Sequence, residues 1–191
     1  SSQIIGCSRQ DAKAHTFKPL NGGTSGTERE KAYYKTFKEK YYGITSTQDG
    51  WVDTALHKGK IVLETGKIFY FPNLKITKRG YVEGNTNVRN YPVQYLATSE
   101  IFPLALVYVW HTIKSENYRM FIINTVHDSI IGEVPPDEVD QFTEITKYAL
   151  GNFCVEYLSK VYEMNFNVPL VMDVKLNKHW SDSEEWQKKY L

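Results

Sequence analysis

The chain has 191 residues, 24% of them charged, and a formal net charge of +1. This length suits one sizeable domain, and the near-zero net charge excludes a uniformly basic nucleic-acid-binding protein. No secretory signal is recognised, and the longest apolar run, IFPLALVYVW, is too short to span a bilayer and predicts a buried helix.

The first predicted element is a helix over residues 8–20. Pro19 is expected to kink or end it, and Gly22 with Gly23 should complete the stop. Four residues recur at every fourth position and should share one face of this helix. They are Arg9, Lys13, Phe17 and Asn21.

A second helix is predicted to begin after Thr27, a suitable N-cap, and to end at Gly43. A short third helix is expected over 48–57. Runs of β-branched and aromatic residues around Gly66 then predict a β-hairpin, and 72–89 is rich in turn residues.

Lysines are dense from Lys31 to Arg79. They could face phosphate groups, although charge alone favours a solvated helix face.

The second half predicts a helix, a hairpin, another helix and a strand, which together form a small antiparallel sheet with helices packed on one side. Pro92 suits the first turn of the first of these helices. The predicted elements are a helix over 92–115, strands over 118–127 and 129–134, an amphipathic helix over 137–163 and a last strand over 169–176. Cys7 and Cys154 match no metal-binding spacing, as is typical of reduced thiols in a cytoplasmic protein.

The stretch RQDAKAHTFKPLNGG places a guanidinium, an ammonium and an aromatic ring about one helical turn apart. Such a face could hold a polyphosphate with Arg9 and Lys13 and stack a base or sugar on Phe17. The alternative is an ordinary exposed basic face with one core phenylalanine, and this segment alone favours that alternative.

The stretch VHDSII places Asp128 on the turn of the second hairpin. A carboxylate held on such a turn suits Mg²⁺, which binds through one or two carboxylates and substrate phosphates. An aspartate that stabilises its own turn by accepting backbone N–H bonds is an equally good explanation.

The stretch NYPVQ places Asn90 and Gln94 on one helix face. Their amides could read minor-groove acceptors that all base pairs share. The alternative is that Asn90 caps the helix and Gln94 is a surface residue.

As an ordered set, these three stretches resemble the family A DNA polymerases, the group of bacterial polymerase I and many phage replicases. R-QDA-K-AHT-F-KPL-NG is similar to motif B of the fingers, NYPVQ to the Asn and Gln that contact the primer–template minor groove, and VHDS to motif C of the palm. LVMDVKLNKHW resembles the terminal palm strand.

The resemblance implies an α+β fold, with a small antiparallel palm sheet backed by long helices and a mainly helical fingers portion at the N-terminal end. It divides the chain into 1–59, a fingers portion with the motif B helix, and 60–191, the remainder of the fingers and the palm with motif C.

The resemblance also implies template-directed addition of deoxynucleotides to a primer 3′ end by a two-metal Mg²⁺ reaction. Arg9 and Lys13 would bind the triphosphate of the dNTP, and Lys13 would also protonate the leaving group. Phe17 would pack on the sugar and base. Asn21 stands where the family has a tyrosine that closes the nucleotide pocket, and an amide cannot stack in the same way.

On the palm and duplex side, the resemblance makes Asp128 one of two aspartates that hold the metal pair. His127 would contact the primer terminus, and Asn90 and Gln94 would hold the primer–template DNA, with the lysines of the first half facing its phosphates. Ser129 replaces the usual glutamate. Single-subunit RNA polymerases also have His-Asp-Ser here, so a fragment of one of them stays an alternative, although they lack a phenylalanine like Phe17. A non-catalytic nucleic-acid-binding remnant is the second alternative.

The second metal-binding aspartate, that of motif A, is expected well upstream of Arg9, and SSQII contains no acid. The chain is therefore expected to be a C-terminal piece of a polymerase, inactive alone and dependent on an upstream part with motif A and the thumb. The expected location is the cytoplasm, at the nucleoid or in a phage host, with no membrane partner.

Overall fold

A computed structural model describes residues 9–23 and 25–177, without the side chains of residues 9–14. The chain forms two compact units, which are Ser1–Leu96 and Ala97–Leu191. Both contain helices and antiparallel hairpins, so the predicted α+β fold is confirmed. The predicted division into fingers and palm at residues 59 and 60 stays a prediction.

The first unit contains four helices among its described residues. They are α1 (Arg9–Leu20), α2 (Glu28–Lys40), α3 (Tyr42–Lys58) and α4 (Asn85–Tyr95). The predicted cap of α2 is confirmed, because the Thr27 side chain accepts the N–H of Glu30 and the Glu30 side chain accepts that of Thr27. This reciprocal capping box satisfies two N–H groups that a helix start otherwise leaves unpaired.

The break after α2 lies at Tyr41, so the predicted stop at Gly43 is wrong. Tyr41 leaves the helical region of backbone conformation, with φ −107° and ψ 45°. Gly43 instead lies in the first turn of α3, which is longer than the predicted helix over 48–57. The left-handed Gly59 (φ 66°) ends α3, as expected for a residue without Cβ.

Two short hairpins follow in the first unit. Strands β1 (Lys60–Val62) and β2 (Ile68–Tyr70) pair antiparallel, which confirms the hairpin around Gly66. Strands β3 (Lys75–Ile76) and β4 (Val82–Glu83) form the second hairpin within the turn-rich segment. One cluster of buried core residues in this unit comes from α3, β1 and α4. Its members are Val52, Ala55, Ile61 and Val88.

Helix α4 begins at Asn85, after the left-handed Gly84, so the prediction that Pro92 opens this helix is wrong. Pro92 lies buried inside it. Because proline has no N–H, the carbonyl four residues earlier loses its usual helical partner. A π-helical turn, Leu96–Ile101, follows and leads into α5 (Phe102–Ser115).

The helical segment Asn85–Ser115 has 31 residues and a mean hydropathy of 1.2. By length and composition it is the one helix in the described ranges that could cross a membrane. The predicted buried helix over the apolar run is confirmed on one face, since Phe102, Ala105, Val109 and Ile113 are buried in the second unit, whereas Val107 and Trp110 are about half exposed. The core helix of a soluble protein has the same properties, so this segment does not indicate a membrane location.

The second unit continues with the hairpin of β5 (Phe121–Val126) and β6 (Ser129–Glu133). A 3₁₀ turn, Pro136–Glu138, leads into a helix that confirms the amphipathic prediction over 137–163. The helix consists of α6 (Val139–Tyr148), a π-helical turn (Ala149–Phe153) and α7 (Cys154–Tyr162). Cys154 is buried and free, and burial raises the pKa of its thiol to about 11.

The predicted last strand over 169–176 is wrong, because this segment has no hydrogen-bonded strand partner among the described residues. Its burial still alternates, with Leu170, Met172 and Val174 half-buried and the residues between them exposed. Alternation with period two is the local signature of a strand. The sequence pattern therefore predicted the side-chain alternation correctly. It could not predict whether a neighbouring strand is present to form the backbone hydrogen bonds of a sheet.

Candidate functional site

Helix α1 carries three of the predicted nucleotide-binding residues, Arg9, Lys13 and Phe17. The side chains of Arg9 and Lys13 lie outside the described part of the chain. The Phe17 side chain is 51% exposed, so it is not the core phenylalanine of the structural alternative. An exposed ring in this position can stack on a planar ligand.

Asn21 closes the last turn of α1. Its side-chain Nδ2 and its backbone N–H both donate to the carbonyl oxygen of Phe17, each at 3.0 Å. The last carbonyls of a helix lack intrahelical partners, and the Asn21 amide satisfies one of them. Asn21, which stands where the resemblance implies a tyrosine, therefore acts as a helix cap in this chain.

A polar link that the motif comparison did not identify joins α1 to α2. The Nδ1 atom of His15 lies 3.3 Å from both the Tyr34 hydroxyl and Oε1 of Glu30. Tyr34 is only 1% exposed, and burial followed by the charge of Glu30 raises its pKa. The N–H and hydroxyl of Thr27 lower the pKa of Glu30, and His15 and Lys18 lower it further. The capping sequence T-x-x-E was the one local signal of this link.

Replacing Glu30 with Gln should lower the melting temperature of the chain at neutral pH, because it weakens both the capping box and the contact with His15. The folded-state pKa of Glu30 lies below its ordinary value of 4.5. Its contribution is therefore complete above pH 4.5 and is lost as the pH falls through the folded-state pKa. Thermal unfolding from pH 3 to pH 8 should show the wild-type and Glu30→Gln curves converging at the acid end.

The control for this prediction is Glu28→Gln on the same helix. Glu28 pairs with Lys31 at 2.7 Å, but its side chain is 92% exposed. An exposed pair of this kind contributes little, so the control should melt close to wild type at every pH. A constant gap between wild type and Glu30→Gln across the whole range would contradict the assigned role of the carboxylate.

Helix α2 also borders a groove of about 510 Å³ that combines cations with aromatic rings, and its lining includes no carboxylate among the described residues. Along the helix, the rings of Tyr33 and Phe37 lie 6.2 Å apart and those of Phe37 and Tyr41 4.7 Å apart. Arg29 and Lys40 complete the charged part of the lining. Aromatic platforms beside cations are typical of sites for single-stranded nucleic acid.

The other lysines of this helix fit the solvated-face explanation. Lys31 pairs with Glu28 at 2.7 Å and Lys35 with Glu39 at 4.0 Å, in both cases on the same helix. Both lysines are more than half exposed. Lys31 and Lys35 are therefore explained by a solvated face, and the contact of the first-half lysines with phosphate stays a prediction.

Asn90 and Gln94 lie in the interior of α4, four residues apart, so they share a face of the helix. Asn90 is half-buried and Gln94 is exposed. The alternative in which Asn90 caps the helix is wrong, because the helix begins five residues earlier, at Asn85. Both amides are thus carried by one helix, which contains Pro92 between them.

The hairpin of β5 and β6 presents His127 and Asp128 as its two-residue loop, between the paired residues Val126 and Ser129. His127 has a positive φ of 55°, which a tight turn of this kind needs at its first loop position. Both side chains are exposed. Within the described chain the Asp128 carboxylate accepts no hydrogen bond, so the turn-stabilising alternative lacks its defining contact.

A close contact between β6 and α6 supports the end of the hairpin opposite its turn. A Cβ on Gly132 would lie 2.7 Å from Cζ of Phe142 and within 3.2 Å of two other ring atoms. Gly132 pairs with Ile122, next to a register shift between Ile122 and Asn124. A glycine at this position lets the strand approach the ring, which fixes the base of the hairpin that carries Asp128.

Gly132→Ala should destabilise the chain by about 1–3 kcal/mol, the usual cost of forcing an extra methyl group into a close-packed contact. Urea unfolding followed by circular dichroism measures the change. Gly151→Ala is the matched control, since a Cβ there would meet its nearest atom, the Leu170 carbonyl oxygen, at an ordinary 3.7 Å. Adding Phe142→Leu should restore part of the loss. Equal stability of the two alanine variants would contradict the role of the Phe142 contact.

The predicted site residues divide between the two units. Arg9, Lys13, Phe17, Asn21, Asn90 and Gln94 belong to the first, and His127 and Asp128 to the second. Asp128 is the one predicted metal ligand among them. In the described parts of the chain, no group of three or more His, Cys, Asp or Glu side chains could hold a metal ion.

Comparison with known proteins gives consistent matches. The sequence model of DNA polymerase family A matches residues 20–182, a segment that begins at the last residue of α1. DNA polymerase I of Caldicellulosiruptor bescii is 28% identical over 155 residues, which is 80% of this chain and 17% of that protein. DNA polymerase I of Lactococcus lactis is 24% identical over 188 residues, 92% of this chain and 20% of that protein. The chain thus spans about a fifth of the length of these curated relatives.

A phage protein and a solved structure also match. The DNA polymerase of Bacillus phage SP01 is 25% identical over 156 residues, 81% of this chain and 16% of that protein. The POL domain of Pol1 from M. smegmatis, in complex with DNA primer-template and dNTP, has a TM-score of 0.66 and 20% identity. The match covers 79% of this chain and 30% of that one, and it supports the fold.

Proposed function

Because this chain belongs to DNA polymerase family A, we propose that it forms part of a template-directed DNA polymerase that adds deoxynucleotides to a primer 3′ end. The observation that carries the proposal is the exposed, unbonded Asp128 on a two-residue hairpin turn, within a segment that the family model matches. Family membership favours a DNA polymerase over the alternative of a single-subunit RNA polymerase. A location in the cytoplasm, at the nucleoid or in a phage host, goes with this function.

Asp128 is the residue that would hold Mg²⁺ in this chain. An exposed carboxylate with no competing hydrogen bond in the described residues fits this metal, which takes one or two carboxylates and keeps several waters. When bound, the metal pair supplies charge stabilisation at the attacking and leaving oxygens. His127, its neighbour on the same turn, would contact the primer terminus.

The residues of α1 bind the incoming dNTP in this proposal. Arg9 and Lys13 hold the triphosphate, since guanidinium and ammonium groups are the usual partners of phosphate oxygens. Lys13 also donates a proton to the leaving pyrophosphate. The exposed Phe17 ring packs on the sugar and base, and Asn21, which caps α1, leaves the pocket without the aromatic wall that a tyrosine would give.

The remaining contacts are to primer–template DNA. Asn90 and Gln94 hold the duplex through minor-groove acceptors, a contact that does not depend on sequence. The basic and aromatic groove beside α2 offers stacking surfaces to an unpaired strand. Single-stranded template is the natural occupant of such a groove in a polymerase.

A second carboxylate must complete the metal site, and we propose that it belongs to the motif A segment of the same polymerase, together with the thumb. A single carboxylate would supply few protein ligands for a pair of metal ions, since each Mg²⁺ usually binds through one or two carboxylates. Asp128 has no group of further ligands around it in the described residues. The partner of this chain is therefore the part of the polymerase that carries motif A.

Primer extension by the reconstituted polymerase tests the function. The 191-residue chain alone, with Mg²⁺, dNTPs and a primed template, is expected to give no extension, and adding the motif A segment is expected to restore it. Ribonucleotides in place of dNTPs should be incorporated poorly. A reconstituted complex that binds primer–template but never extends it would instead support the non-catalytic remnant, whereas extension by the chain alone would overturn the need for a second segment.

A further inference from the structure

A joint between the end of α1 and helix α4 is not explained by any of the roles assigned above. The Thr86 hydroxyl lies 3.5 Å from the carbonyl oxygen of Asn21 and 3.4 Å from Oδ1 of Asn85, and its one proton can be donated to either acceptor. One turn further along α4, the Arg89 side chain lies against Gly22, where a Cβ would be only 2.8 Å from Nε and 3.1 Å from Cδ. Gly22 has a φ of 82°. The absence of a side chain there lets the guanidinium approach the turn that ends α1.

Arg89 is held in this joint from more than one side. Its terminal nitrogen pairs with Oδ1 of Asp49 on α3 at 2.5 Å, and the side chain is only 11% exposed. The amide of Gln48, also on α3, donates to the Arg89 carbonyl oxygen at 3.4 Å. Three elements, the end of α1, α3 and α4, therefore fix one planar cation.

The Nε–H of Arg89 is buried and makes no hydrogen bond within the described structure. A buried donor without a partner is costly, and each such group in a native protein calls for an explanation. A surface ion pair with Asp49 would not need the arginine to be buried in this way. The buried Nε atom lies against Gly22.

We propose that Arg89 is a positioning residue that couples the DNA-contacting helix to the nucleotide-binding helix. Arg89 directly precedes Asn90 on α4, and its side chain contacts the turn that ends α1. A duplex that binds Asn90 and Gln94 fixes the position of α4. Because the Arg89 side chain packs on Gly22, the position of α4 then sets the position of the end of α1. The inference rests on the proposed function, because it links the two binding roles assigned there.

A double-mutant cycle in the reconstituted polymerase tests the coupling. Arg89→Ala should raise KM for dNTP by roughly 2- to 30-fold, the range that residues along a coupling network usually show, with a smaller change in kcat. Asn90→Ala should also raise this KM in the wild-type background, but it should add little once Arg89 is absent. Fully additive effects would overturn the proposal, since independent sites add.

Two further variants separate positioning from a general loss of stability. Arg119→Ala removes another arginine and its ion pairs with Asp137 and Glu138 in the second unit, and it should leave KM for dNTP unchanged. Arg89→Lys keeps a cation for Asp49 but loses the planar guanidinium. It should resemble Arg89→Ala in KM while restoring its melting temperature; a lysine variant with wild-type KM would overturn the role of the guanidinium at Gly22.

Amide hydrogen exchange on the 191-residue chain gives a measurement that does not require activity. The N–H groups of Asn21, Gly22 and Gly23 bond to carbonyls of α1 at 3.0, 3.1 and 2.8 Å. Arg89→Ala should speed exchange at these three positions, whereas Arg119→Ala should not. Unchanged exchange in Arg89→Ala overturns the inference alone, whereas a reconstituted wild type that extends no primer overturns the proposed function itself.

Discussion

Replacing Asp128 with alanine is expected to slow primer extension by the reconstituted polymerase by about 10²- to 10⁴-fold. Metal ions contribute several kcal/mol of transition-state stabilisation, and each 1.4 kcal/mol or so corresponds to a factor of about ten. The carboxylate is exposed and makes no hydrogen bond within the described chain. Its removal should therefore leave the melting temperature and the affinity for primer–template nearly unchanged.

Asp140→Ala is the matched control for this experiment. Asp140 is an exposed aspartate in the first turn of α6, in the same unit as Asp128. Its loss removes the same charge and costs only the small helix-dipole term. Single-turnover incorporation of one dNTP compares the two variants. If Asp128→Ala keeps more than about a tenth of the wild-type rate, a change worth no more than one factor of ten, Asp128 does not hold the metal.

The position of Asp128 could be predicted because the information is local. Apolar, β-branched runs on both sides of a polar pair specify two strands and a tight loop. The structure has Val126 opposite Ser129, with His127 and Asp128 between them, so the first strand ends one residue earlier than the predicted end at His127. The positive φ of His127 could not be predicted from the sequence in the same way. Histidine tolerates this conformation better than most residues but does not require it.

The parts of the fold that were missed depend on hydrogen-bond partners. The two π-helical turns, Leu96–Ile101 and Ala149–Phe153, lie inside segments whose apolar spacing is that of ordinary helices. A shift in backbone pairing leaves side-chain periodicity almost unchanged, so composition does not reveal it. For the same reason, the segment over 169–176 keeps its strand-like alternation without a ladder.

The supporting contacts around the candidate site are tertiary, and spacing along one helix cannot predict them. His15 meets Glu30 and Tyr34 only because α1 and α2 pack together. Arg89 contacts Gly22, although the two residues are 67 positions apart in the sequence. The motif residues could be predicted one by one from their order, whereas the residues that contact them required the structure.

Lys13→Ala is expected to lower kcat/KM for dNTP by about 10²- to 10³-fold, because the side chain has two proposed tasks. Loss of the ammonium weakens triphosphate binding and raises KM. Loss of the proton donor slows the departure of pyrophosphate, and general acid catalysis typically contributes 10²–10⁴-fold. Steady-state incorporation with varied dNTP separates the two terms.

Lys13→Arg distinguishes the tasks of charge and proton transfer. Arginine keeps the cation but cannot give up its proton in a protein, so KM should stay near the wild-type value while kcat falls. Lys35→Ala is the matched control, since Lys35 is an exposed lysine on α2 that pairs with Glu39 at 4.0 Å. An arginine variant with wild-type kcat would rule out Lys13 as the proton donor, and an alanine variant no weaker than the Lys35 control would remove Lys13 from the nucleotide site. Since the family match begins only at residue 20, this pair of variants tests the assignment of α1 independently of that match.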